Sequence, residues 1–215
     1  MKNEVFYDKL KNMRKFQTFV LLIFLVACSP EKNLQLVEFD DYEFDCSNVS
    51  PSEMYSLQLS EEFDVDSWVC SIRAINNPVL QQTWYSNLLG TLSLQEGPID
   101  VNLWHTLINE LSSSVLQQTW YSNLLGALNL QAINEDPIDV NLWYTLINKL
   151  NNPVLQQTWY SNLLGALNLQ AINGGDVDLD VMSLVVEELT NETLQKTWKT
   201  NIEATKALQL LNKVS

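Results

Sequence analysis

The chain has 215 residues with 12 Lys and Arg against 26 Asp and Glu, a formal net charge of -14. A surface this acidic repels nucleic acid, which excludes the polyanion-binding classes. With one His and three Cys there is no His/Cys metal set, and neither a Gly-rich phosphate loop nor a nucleophile elbow is present, so no metal, no cofactor and no enzymatic activity is expected.

Residues 1–27 read as a signal peptide. Phe19 to Ala27 form an uncharged apolar run behind Lys9, Lys11, Arg14 and Lys15, the order of a secretory signal. The run is too short for a helix that must cross a bilayer with about 20 residues, so cleavage is expected rather than a permanent span. It ends in Leu25-Val26-Ala27-Cys28, and these four residues resemble the lipobox of bacterial lipoproteins. The resemblance covers the first 30 or so residues. It implies that Cys28 receives a diacylglyceryl group, that the signal is cut just before it, and that the new amino terminus is acylated, palmitate being a typical chain. Met13 then serves as the start of a complete signal. It further implies a bacterial cell-envelope protein whose partner is the lipid bilayer, through acylated Cys28. Ser29 resembles the enteric signal for the outer membrane over the inner one. Each buried methylene contributes about 0.8 kcal/mol to partition, so two or more chains make a lasting anchor.

Residues 28–49 are expected to be an acidic tether: Glu38, Asp40, Asp41, Glu43 and Asp45 crowd a stretch with no helical period. In an oxidising compartment Cys46 and Cys70 either form a disulfide or remain two thiols, and spacing alone leaves both open. Ser50-Pro51-Ser52-Glu53 has the form of a capping box with Pro at the first helical position, which predicts an N-terminal cap helix over 50–63.

The remainder, 64–213, repeats itself. Val-Leu-Gln-Gln-Thr-Trp-Tyr-Ser-Asn-Leu-Leu-Gly starts at Val79, Val115 and Val154, and Val115 to Asn134 is identical to Val154 to Asn173. Pro98 to Leu111 and Pro137 to Leu150 differ only at His105 against Tyr144 and at Glu110 against Lys149. Such identity marks recent duplication. An Asp stands four residues before a large apolar residue in each unit, at Asp64, Asp100, Asp139 and Asp178, and is read as the N-cap of a helix A. In that helix Val140, Leu142, Trp143, Leu146, Ile147 and Leu150 share one face, opposite Asn141, Thr145, Asn148 and Lys149. Asn152-Pro153 opens a helix B with Leu155, Trp159, Tyr160, Leu163, Leu164, Ala166 and Leu167 inward and Gln157, Ser161 and Asn168 on its wet side. Faces this wide need a neighbour. The predicted architecture is all-α, a short α-solenoid of about four helix-turn-helix repeats, 64–95, 100–131, 139–170 and 178–213. Trp, Leu-Gly and a terminal Ala-Leu resemble tetratricopeptide repeats, but Trp and Gly sit in the second helix here, so the resemblance extends only to the broad α-solenoid class.

Asp176, Asp178, Asp180 and Glu187 match four positions of a calcium loop, but Val181 stands where the turn needs Gly, and the repeat frame makes Asp178 a helix cap. The Trp residues are assigned to the core. Tyr85, Tyr121 and Tyr160 are the groove candidates, joined by His105 and Tyr144, where the copies differ. The expected function is a lipid-anchored, non-catalytic scaffold for an envelope protein or peptide. The alternative is a glycan-binding lipoprotein with a Tyr/Trp/Gln-lined groove.

Overall fold

Each hairpin begins where an Asp side chain takes up free amides of a helix's first turn. The Asp64 carboxylate accepts from Asp66 N, Asp100 from Leu103 N, Asp139 from Leu142 N, and Asp178 from Asp180 N and Val181 N. These caps open four A helices, α1 (Val65–Arg73), α3 (Val101–Asn109), α5 (Val140–Asn148) and α7 (Leu179–Glu187). After a short turn come the B helices, α2 (Pro78–Leu92), α4 (Ser114–Ile133), α6 (Pro153–Ile172) and α8 (Glu192–Asn212). Asn77 and Asn152 cap α2 and α6 from just before Pro78 and Pro153, where proline's missing amide costs nothing.

The structure is a computed structural model that describes residues 32–47, 64–95, 97–133 and 137–212. The signal, Cys28 and the cap helix expected at 50–63 lie outside the described residues. The chain divides into two units, Met1–Asn33 and Leu34–Ser215, and all the described helices belong to the second. Among the described residues the fold is all-α, and no helix is long and apolar enough to cross a membrane.

Each B helix packs against its own A helix, the first three also against the next A helix, and α4, α6 and α8 pack in succession. A stacked helical repeat is compatible with this order. Leu88, Leu89, Leu107, Ile108, Leu124, Leu125, Leu146, Ile147, Leu163 and Leu164 are fully buried along it. Within the first three hairpins an A-helix Trp meets a B-helix Trp edge to face: Trp68 with Trp84 at 5.7 Å, Trp104 with Trp120 at 6.2 Å, and Trp143 with Trp159 at 6.3 Å. The B-helix indoles also donate backwards, Trp120 to Ser86, Trp159 to Ser122 and Trp198 to Ser161.

The Gln pair of each of the first three B helices ties the array together. The first Gln donates to a carbonyl just past the end of its own A helix, Gln117 to Leu111 O and Gln156 to Leu150 O, both at 2.7 Å. The second reaches forward. Gln118 donates to Lys149 O and accepts from Asn151 N at 2.6 Å, and Gln157 does the same with Glu188 O and Thr190 N. Gln157, Ser161 and Asn168, expected on the wet side, are therefore spent on the next repeat, Asn168 by accepting from Thr205 Oγ1. A helical wheel separates polar from apolar but does not distinguish a solvated polar side chain from one that staples backbone.

Residues 34–47 do not stand off as a tether. They run along the A helices as an extended strap, with Leu34, Phe39, Tyr42 and Phe44 packed against the core and the five acidic side chains exposed. Thr145, expected to face water, is 3% exposed beneath it. Acidic density misled here because charges on one edge of an extended segment leave its other edge free to pack.

Candidate functional site

The groove that holds the strap is built from one frame repeated along the array. Thr106 and Thr145 occupy the same place in α3 and α5, and Cys70 occupies it in α1. Thr145 Oγ1 accepts from Val37 N at 2.8 Å, Thr106 Oγ1 accepts from Tyr42 N at 3.0 Å, and Cys70 is joined to Cys46 by a disulfide with Cα atoms 5.5 Å apart. Four residues earlier, Asn141 Oδ1 accepts from Gln35 N at 3.0 Å, and the matching Asp66 accepts from Asp45 N at 3.3 Å. Each repeat thus meets four or five strap residues, the reach of an extended chain at about 3.3 Å per residue. The strap runs from the third hairpin back to the first.

Rings fill the space between these anchors. Phe39 lies 4.4 Å from the His105 ring, with Lys149 Nζ at 5.9 Å on the Phe39 ring, and the Arg73 guanidinium lies 5.1 Å over Phe44. Arg73 is itself paired to Glu110 at 2.5 Å. Of the positions at which the second and third units differ, His105 and Lys149 touch the strap directly and Glu110 acts through Arg73.

His105 is buried and closed into a ring of hydrogen bonds. Asn109 Nδ2 lies 3.0 Å from Nε2, Tyr121 Oη lies 2.8 Å from Nδ1, and the Tyr121 hydroxyl donates to Asn109 Oδ1 at 3.3 Å. The one assignment that satisfies all three contacts puts the proton on Nδ1 and leaves Nε2 as acceptor, a neutral imidazole. Burial pushes the His105 pKa down and Lys149 adds to this, with Asp41 of the strap opposing.

The three groove tyrosines are core residues instead: Tyr85, Tyr121 and Tyr160 are 3–4% exposed, and burial pushes all three phenols up. Tyr85 Oη has no hydrogen-bond partner among the described residues, although Arg73 lies near enough to oppose the shift. Tyr144 is half-buried above Tyr160, ring centroids 6.2 Å apart. The Tyr and Gln side chains on which a sugar-binding groove would rest are thus committed to packing and to backbone. Sequence reasoning missed Asp66, Thr106, Asn141 and Thr145 as groove residues. The available signal was the alternation Tyr42-Glu43-Phe44-Asp45, period two, the mark of an extended segment covered on one edge.

Outside the groove, an open pocket of about 560 Å³ lies between the ends of α2 and α4, lined by Leu92, Gly97, Pro98, Trp104 and Leu130 among others. No His, Cys or carboxylate is among its described lining residues. No group of His, Cys, Asp or Glu among the described residues is arranged to hold a metal ion, and Asp178 serves as the N-cap of α7. No family model, no curated protein and no solved structure matches the chain.

Proposed function

We propose that the chain is a lipid-anchored bacterial envelope protein, held to the outer membrane through acylated Cys28, whose helical repeats bind extended peptide segments of other envelope proteins without catalysis. The anchor rests on the resemblance of Leu25-Val26-Ala27-Cys28 to a lipobox. The binding role rests on one observation: repeat-equivalent side chains on successive A helices take main-chain amides of an extended segment, Gln35 and Val37 at α5, Tyr42 at α3 and Asp45 at α1. A ladder of acceptors at repeat spacing suits any extended backbone, and the rings between them supply preference.

Two measurements test the proposal. Cys28→Ser should move the protein from the detergent-extracted membrane fraction to the soluble envelope fraction, and retention with the membrane would remove the anchor from the account. Selection of a displayed peptide library on the reduced full chain carrying Phe39→Ser and Tyr42→Ser, which loosen the strap, should enrich segments with aromatic side chains and no proline at the anchored amides. Enrichment should fall when Thr106→Val and Thr145→Val are combined. A library that stays unenriched would contradict the binding role.

A further inference from the structure

We infer that the strap is a resident ligand standing in the place of a partner's extended, aromatic-bearing segment, and that the Cys46–Cys70 disulfide governs its displacement. The inference rests on the peptide-binding reading and names the partner class and the regulation of that same groove. The strap is held as a ligand is held. Its fixed contacts are main-chain amides, which any non-proline residue supplies, and a few rings seated on His105 and under Arg73. Leu36 is 66% exposed and Val37 37%, whereas Leu107 and Leu146 in the helices beneath are fully buried. The groove also divides the work as a reader of varied ligands does. Asn141, Thr106 and Thr145 bind backbone, which any segment supplies, and the second and third units differ at His105/Tyr144 and Glu110/Lys149, where the strap's rings are met.

The disulfide is what makes this occupant hard to replace. It fixes the strap to α1, so the local concentration of strap at the groove far exceeds that of any free competitor. Cys46 is exposed while Cys70 is buried, which leaves one sulfur open to attack. A dithiol reductant opens the bond by exchange: the S–S bond breaks, two electrons and two protons pass to the two cysteines, and the reductant closes its own disulfide. The strap is then held by its non-covalent contacts and by chain connectivity alone.

The test uses the full chain, as wild type and as the variant combining Phe39→Ser with Tyr42→Ser, each oxidised and reduced. The probe is a fluorescein-labelled peptide of the sequence of residues 33–47 with serine in place of its cysteine. The reduced variant should bind it saturably, the oxidised variant at least ~10-fold more weakly, and the oxidised wild type not at all. Equal affinity in both redox states of the variant would overturn the gating role of the disulfide while leaving peptide binding intact. No binding by either state, with the helical circular dichroism retained, would sink both. Should the variant lose its helical signal, hydrogen exchange on the wild type decides. Reduction should speed exchange at the Val37 and Tyr42 amides by at least ~10-fold with Leu146 unchanged, and unchanged strap exchange would overturn the inference.

Discussion

Neutrality of His105 has a consequence for pH. The closed ring with Asn109 and Tyr121 has no acceptor for a second imidazole proton, and burial adds to that penalty, so the folded pKa lies below the unfolded one. As pH falls through the unfolded value of about 6.5, the unfolded chain takes up a proton that the folded chain refuses. The stabilisation present above that pH is therefore lost as pH falls. The melting temperature should drop between about pH 7.5 and about pH 5.5, and His105→Tyr, the residue of the third hairpin, should flatten that drop. An unaltered pH profile in the variant would contradict the neutral ring. Thr145 offers a second residue-scale check. It accepts from Val37 N while donating to Asn141 O, so Thr145→Val keeps its volume and deletes the strap's anchor. Urea unfolding should show a loss of about 1 kcal/mol, and no loss would mean that the anchor is made in water as readily.

At the scale of elements, the duplicated Gly of the B helix has an answer that its repetition hides. A Cβ on Gly126 would lie 3.8 Å from the Trp159 ring, ordinary contact rather than a clash. Mid-helix glycine costs about 0.5–1 kcal/mol relative to alanine, so Gly126→Ala should raise stability by about that amount in thermal unfolding. Destabilisation would mean that α4 and α6 pack too closely for a methyl group. The Gln clamp runs the other way: Gln118→Ala removes both the bond to Lys149 O and the one from Asn151 N, and should cost about 1–3 kcal/mol in the same assay. The helices and their caps were legible because Asp at a fixed offset and a 3.6-residue period are local signals. The strap was not. Its partners lie 21 to 108 residues away, as Asp45 N to Asp66 and Val37 N to Thr145 show, and the alternation at 42–45 marks a covered extended segment without naming what covers it. The candidate site was legible in part: His105 and Tyr144 drew notice as the places where copies differ, whereas Thr145 counted as a solvated polar residue because its covering was invisible.

For the whole molecule, each hairpin is supported by its neighbours, and the first has a neighbour on one side only among the described helices. The disulfide compensates by tying the strap to α1 across a sequence separation of 24. By chain entropy, a closed loop of that length is worth about 3.5 kcal/mol. The strap also spans three hairpins, so it binds together an array whose units otherwise touch only in succession. The central claim is that residues 34–46 lie extended in the groove of the A helices. Proton NMR of the oxidised full chain tests it most directly, through cross-relaxation between the Phe39 and His105 rings. With Phe39 and His105 centroids 4.4 Å apart, strong Phe39–His105 contacts are predicted. Random-coil shifts for the strap with no Phe39–His105 contact would contradict it.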